Sequence, residues 1–66
     1  MSLKWIDTED IAEALNEALP DINVLSIRFT DLWQWVQSLD NFSDSPEKCN
    51  EKILEAIQAE WIKIRS

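Results

Sequence analysis

The sequence predicts a small, mainly α domain of three short helices, and three observations carry that prediction. Apolar residues recur at i, i+3, i+4 and i+7, one face of a helix, in three separate stretches. Residues that suit a helix start stand ahead of each stretch: Asp7, Thr30 and, for the third, Ser45 or Asn50. Between the stretches lie Pro20-Asp21 and the turn-forming run 40–46, which a helix does not readily cross.

The first helix is expected to follow Lys4-Trp5-Ile6-Asp7. Asp7 serves as N-cap, Glu9 and Asp10 suit the positive end of the helix, and Ile6 clasps Ile11 across the cap as a hydrophobic staple. The inner face reads Ile11, Ala14, Leu15, Ala18 and Leu19, with Glu9, Asp10, Glu13 and Glu17 on the opposite side. Pro20-Asp21 ends the helix after about twelve residues, a rod of roughly 18 Å. Residues 22–26 fit either a short turn of helix or an extended arm.

The central helix is the element on which the others are expected to pack. Arg28-Phe29 forms an extended entry, Thr30 caps, Asp31 faces the positive helix end, and Leu32, Trp35, Val36 and Leu39 form the inner face. In the loop that follows, Phe42 is the expected anchor to the core. The third helix starts either with Ser45 capping Pro46 or with Asn50 capping Glu51, and its inner stripe is Ile53, Leu54, Ile57, Trp61 and Ile64. The chain has no glycine, so its helices must close without the usual left-handed glycine.

Sixty-six residues make one small domain, which buries only about 60% of the surface of its unfolded chain. One cysteine and no histidine allow neither an internal disulfide nor a metal finger, so packing must hold the core, and four tryptophans supply much of it. No apolar run approaches the roughly 20 residues that span a bilayer, and residues 1–5 lack a signal-peptide hydrophobic region, so no membrane role and a cytoplasmic location are expected. The net charge of −7 is uneven: residues 1–47 hold ten acids and two bases, whereas residues 48–66 hold three acids and four bases. Such a field repels nucleic acid and anionic lipid and draws the protein toward basic surfaces or cations.

Three helices with a connector and a looped excursion have the outline of a helix-turn-helix or winged-helix domain. DNA binding would follow by analogy alone, but a recognition helix needs Arg or Lys facing phosphates, and the central helix has neither. The acidic side of the first helix is the stronger candidate. Carboxylates one turn apart repel by a few tenths of a kcal/mol per pair and gain from any cation or basic surface that relieves them. Exposed oxygen ligands suit hard cations such as Fe2+, Fe3+, Ca2+ or Mg2+ and hold them weakly. The plainer alternative is a solvated face. Cys49, near a positive helix end, could favour thiolate, but with no histidine or second cysteine in support a semi-buried structural residue is the better reading. Trp35 and Trp61 read as core and Trp5 as packing over the start of the first helix, whereas Trp33 lies off the inner face and reads as exposed. There is no Gly-rich phosphate loop and no Ser/His/Asp set, so no enzyme is expected.

Leu3-Lys4-Trp5-x-Asp7, Pro20-Asp21, Arg28-Phe29-Thr30-Asp31 followed by Gln34-Trp35, and Asn50-Glu51-Lys52-Ile53-Leu54-Glu55-Ala56-Ile57 with Trp61 closely resemble the IscX family over essentially the whole chain. These are small acidic proteins encoded with the bacterial iron-sulphur cluster assembly machinery. The resemblance implies a winged-helix-like fold turned to protein recognition, a cytoplasmic location, weak iron binding through surface carboxylates, and docking on a basic patch of the cysteine desulfurase IscS; nothing in the sequence demands a dimer, so a monomer is expected. Modulation of desulfurase activity, in competition with frataxin and ferredoxin, is implied with it. Carried onto this chain, the weak iron site falls on Asp7, Glu9, Asp10, Glu13 and Glu17, and the docking surface on Glu9, Asp10, Glu13, Glu17, Asp21 and Asp31. Family members are often more acidic before Pro46 and at the C-terminus, where this chain has Asn41, Ser43, Ser45 and Lys63-Ile64-Arg65. The rival readings are an iron donor to the cluster scaffold and a winged-helix nucleic-acid module, the latter disfavoured by the net charge.

Overall fold

In the computed structural model, which describes residues 2–65, the helices are α1 (Thr8–Ala18), α2 (Phe29–Gln37) and α3 (Glu51–Arg65), with 3-10 turns at Val24–Ser26 and Pro46–Lys48. The domain is mainly α, as expected. Among the described residues the isolated β pairing is one parallel bridge, Leu3 with Phe42, and no hairpin follows it. The wing implied by the resemblance is therefore not found.

Both proposed starts of the third helix leave a mark. Pro46 opens a 3-10 turn behind Ser45, whose side chain makes no capping bond. The helix itself waits for Asn50, whose Oδ1 accepts the N–H of Ile53 at 3.0 Å. The connector resolves as a turn, fixed by Asn23 Oδ1 accepting the N–H of Leu25 and by Gln58 of α3 donating to the carbonyl of Val24. No described residue has positive φ. α1 closes at Leu19, whose N–H reaches the carbonyl of Leu15, and α2 closes at Ser38 in right-handed conformation, so glycine is not required.

Several local expectations are corrected. α2 starts at Phe29, with extended Arg28 at the cap position and Thr30 already helical, because half-buried Phe29 packs on the core and is drawn into the first turn. Ile6 forms no staple: it is 82% exposed, and Trp5, 1% exposed, goes inside instead. A tight turn causes this, since the N–H of Asp7 bonds the carbonyl of Lys4 at 2.9 Å and sends neighbouring side chains opposite ways. Asp7 occupies the cap position, but its Oδ2 accepts the N–H of Lys4 rather than a helix N–H.

The main packed pair is α1 with α3, and α2 makes smaller contacts with both, so α2 is not the platform the sequence suggested. The reason is apolar reach: the longest helix, α3, carries Leu54, Ile57 and Trp61 into the core. α1 answers with Ile11, Ala12 and Leu15, its inner face turned toward Ala12 and away from exposed Ala18. Leu32 and Val36 of α2, Val24 and Trp5 complete the core, while Trp35 is only half-buried and Ile64, at the end of the stripe, is 40% exposed. No polar side chain is buried in that core among the described residues.

Two long-range ties close the domain. At one end, residues 3–5 lie against the loop after α2: Leu3 exchanges backbone hydrogen bonds with Asn41 and Ser43, and Lys4 Nζ donates to the carbonyl of Ser43. Trp5 donates its indole N–H to the carbonyl of Ser45 at 2.7 Å and meets Phe42 edge-on with ring centres 4.7 Å apart, which makes Phe42 the anchor expected of it. At the other end, Arg65 caps the exit of α1. Its Nη2 and Nη1 donate to the carbonyls of Leu19 and Ile22, its Nε to Asn16 Oδ1, and its guanidinium lies over the Trp61 ring.

Candidate functional site

α1 presents its carboxylates as the charge pattern requires. Charged side chains are too costly to bury without partners, so packing Ile11, Ala12 and Leu15 inward leaves Glu9, Asp10, Glu13 and Glu17 exposed on the outer side. Glu9 and Asp10 also stand in the first turn, against the positive helix end. The ion pairs between described residues lie elsewhere, Lys48 with Asp44 and Lys63 with Glu60, so the row on α1 has no cation of its own.

Not all the expected residues share one place. Asp7, Glu9 and Asp10 line an open depression of about 300 Å3 at the start of α1, together with Ile6 and Thr8. Glu13 and Glu17 continue the row along the helix, and exposed Asp21 follows on the turn past its far end. Asp31 sits in the first turn of α2 and does not line the depression. Among the described residues, no three Asp, Glu, Cys or His side chains converge closely enough to hold a metal ion. The arrangement is an extended acidic strip, suited to a charged surface or to loose, partly hydrated cation contact, and it lacks a preformed cage.

Two further residues behave differently from their sequence context. Asp44 emerged as the carboxylate most engaged by the fold: Oδ2 accepts the N–H of Trp5 at 3.1 Å and Oδ1 that of Ser45 at 2.8 Å. These backbone donors, led by Trp5, hold its carboxyl below the ordinary range, with help from Lys48 and Lys4. The available signal was Asp44-Ser45-Pro46, where a short acidic side chain readily bonds nearby backbone ahead of a proline turn. Cys49 is half-buried and burial pushes its thiol up, opposite to the thiolate that a helix start could favour. Asn50 has taken the helix end by capping Ile53, which leaves desolvation to decide. Trp33 is 36% exposed, as its position off the inner face implied, but its indole N–H reaches the carbonyl of Pro46.

A family model described as Iron-sulphur cluster assembly matches residues 3–66. The chain belongs to this family, that of IscX. An uncharacterized protein of Pseudomonas aeruginosa is 49% identical over 65 residues, a similarity that spans 98% of both chains. Membership places the acidic strip in a family that serves iron-sulphur cluster assembly. No helix among the described residues is long and apolar enough to cross a membrane.

Proposed function

We propose that this chain is a non-enzymatic adaptor of iron-sulphur cluster assembly, working in the cytoplasm, that docks on a basic surface of the cysteine desulfurase IscS and modulates its activity. The observation that carries this reading is the exposed row Glu9, Asp10, Glu13 and Glu17 on one side of α1, with no ion pair to a cation among the described residues. A basic partner relieves repulsion within the row and gains from its long-range field, so binding is fast and weakens as salt rises. Asp21 and Asp31 extend the charged surface from neighbouring segments. Frataxin and ferredoxin, expected on the same patch, compete with it.

Iron belongs to the same reading as a weak second ligand of Asp7, Glu9, Asp10, Glu13 and Glu17. Exposed carboxylates on an open strip hold a hard cation with most of its water in place, and bound iron then alters the charge the partner meets. The test is titration of purified IscS with wild type and with Glu13→Lys/Glu17→Lys. Reversing both charges should weaken binding at least about tenfold at low salt. Unchanged affinity would remove this face from the interface.

A further inference from the structure

Ile6 is the most exposed large apolar residue among those described, and the fold fixes it there. It occupies the corner of the turn at residues 4–7, closed from one side by the N–H of Asp7 on the carbonyl of Lys4 and from the other by the N–H of Lys4 on Asp7 Oδ2. The preceding Trp5 is buried and pinned twice, by its backbone N–H on Asp44 and its indole on Ser45, and α1 follows directly. Ile6 therefore cannot swing into the core, and its branched Cβ limits its own rotamers. Little freedom is left for a partner to remove.

Isolated apolar residues on a surface usually carry no function. Here the setting is different, because Ile6 lines the same open depression as Asp7, Thr8, Glu9 and Asp10, at the head of the acidic row. A purely apolar occupant would desolvate those carboxylates without pairing them, and an anionic one would be repelled. Lysine and arginine satisfy both parts of the site at once, since their methylene stems pack on apolar surface while their heads reach outward to charge.

We propose that Ile6 is the apolar anchor of the docking surface, seated among the stems of Lys and Arg side chains of a basic protein partner whose heads reach Glu9 and Asp10. The proposal rests on the docking reading above and adds a division of labour to it. The carboxylates govern encounter, and Ile6 governs how long the complex lasts.

Association and dissociation rates on immobilised IscS, at several salt concentrations, separate the two. Ile6→Ser keeps the wild-type melting temperature, because the side chain is outside the core, and should dissociate about tenfold faster, or about 1.4 kcal/mol, with association rate and salt dependence unchanged. Ile6→Leu, which keeps the apolar bulk, should stay close to wild type. Glu9→Gln/Asp10→Asn should instead slow association and flatten the salt dependence. Salt-sensitive binding by wild type with an unaltered dissociation rate in Ile6→Ser overturns the anchor and leaves the docking reading standing. No binding by wild type even at low salt overturns both.

Discussion

Replacing Trp5 with Phe tests whether the N-terminal turn is held by the far loop. The substitution removes the indole N–H that meets the carbonyl of Ser45 at 2.7 Å, worth about 1 kcal/mol. It also removes part of a ring that is 1% exposed and packed on Phe42, and the void adds about 1–2 kcal/mol. The expected loss is about 2–3 kcal/mol, a large share of the stability of so small a domain. At about 4–8 °C per kcal/mol, the melting temperature should fall by roughly 10–20 °C. Far-UV circular dichroism melts of Trp5→Phe beside Trp33→Phe measure it. Trp33 is 36% exposed and its indole N–H makes a longer bond, 3.3 Å, to the carbonyl of Pro46, so its replacement should cost about 1 kcal/mol or less. Equal effects at the two positions would refute the claim that Trp5 ties the turn to the loop.

Asp44 should set part of the acid sensitivity. Its folded carboxyl lies below the ordinary value of 3.8, so its contribution is complete above that value and is lost as pH falls through the lowered one. Asp44→Asn should reduce the urea midpoint at pH 7 and flatten its decline in acid; a decline as steep as that of wild type would count against it. Asn50→Ala, which removes the cap on Ile53, should cost about 1 kcal/mol in urea unfolding and fray the start of α3, and an unchanged midpoint would mean the cap is idle. With its thiol raised by burial, Cys49 should react with a disulfide reagent at pH 7.5 more slowly than cysteine in a short peptide, whereas a faster reaction would show that the helix start prevails.

The helices were legible because a 3.6-residue apolar period has one structural meaning in stretches this long, and Asn50 was legible as one of two caps, beside Ser45, because its short amide suits that position. The exposure of Glu9, Asp10, Glu13 and Glu17 followed from the cost of burying charge. What local pattern could not hold was the choice between Trp5 and Ile6, which is decided by Phe42, Asp44 and Ser45, about forty positions away. Arg65 is a similar case: by sequence it makes the tail basic, yet in the fold its guanidinium is engaged by the carbonyls of Leu19 and Ile22. The pairing of α1 with α3 was hidden as well, because period shows that a face is apolar and not which neighbour covers it. Helical spacing likewise placed the carboxylates on one side without revealing that no three of them converge.

The pairing of α1 with α3 also orders events in the life of the chain. These helices are separated by α2 and both 3-10 turns, and Trp61 stands in the penultimate turn of α3, so no nascent chain that stops short of Trp61 can close the core. Ile11 and Leu15 lack their main covering helix until α3 has been made, so the core closes only once α3 is present. During that interval the acidic row of α1 is already present as a solubilising charge on the same helix as the apolar stripe that α3 will later cover. The acidic row thus adds to the solubility of the unfinished chain before the core has closed.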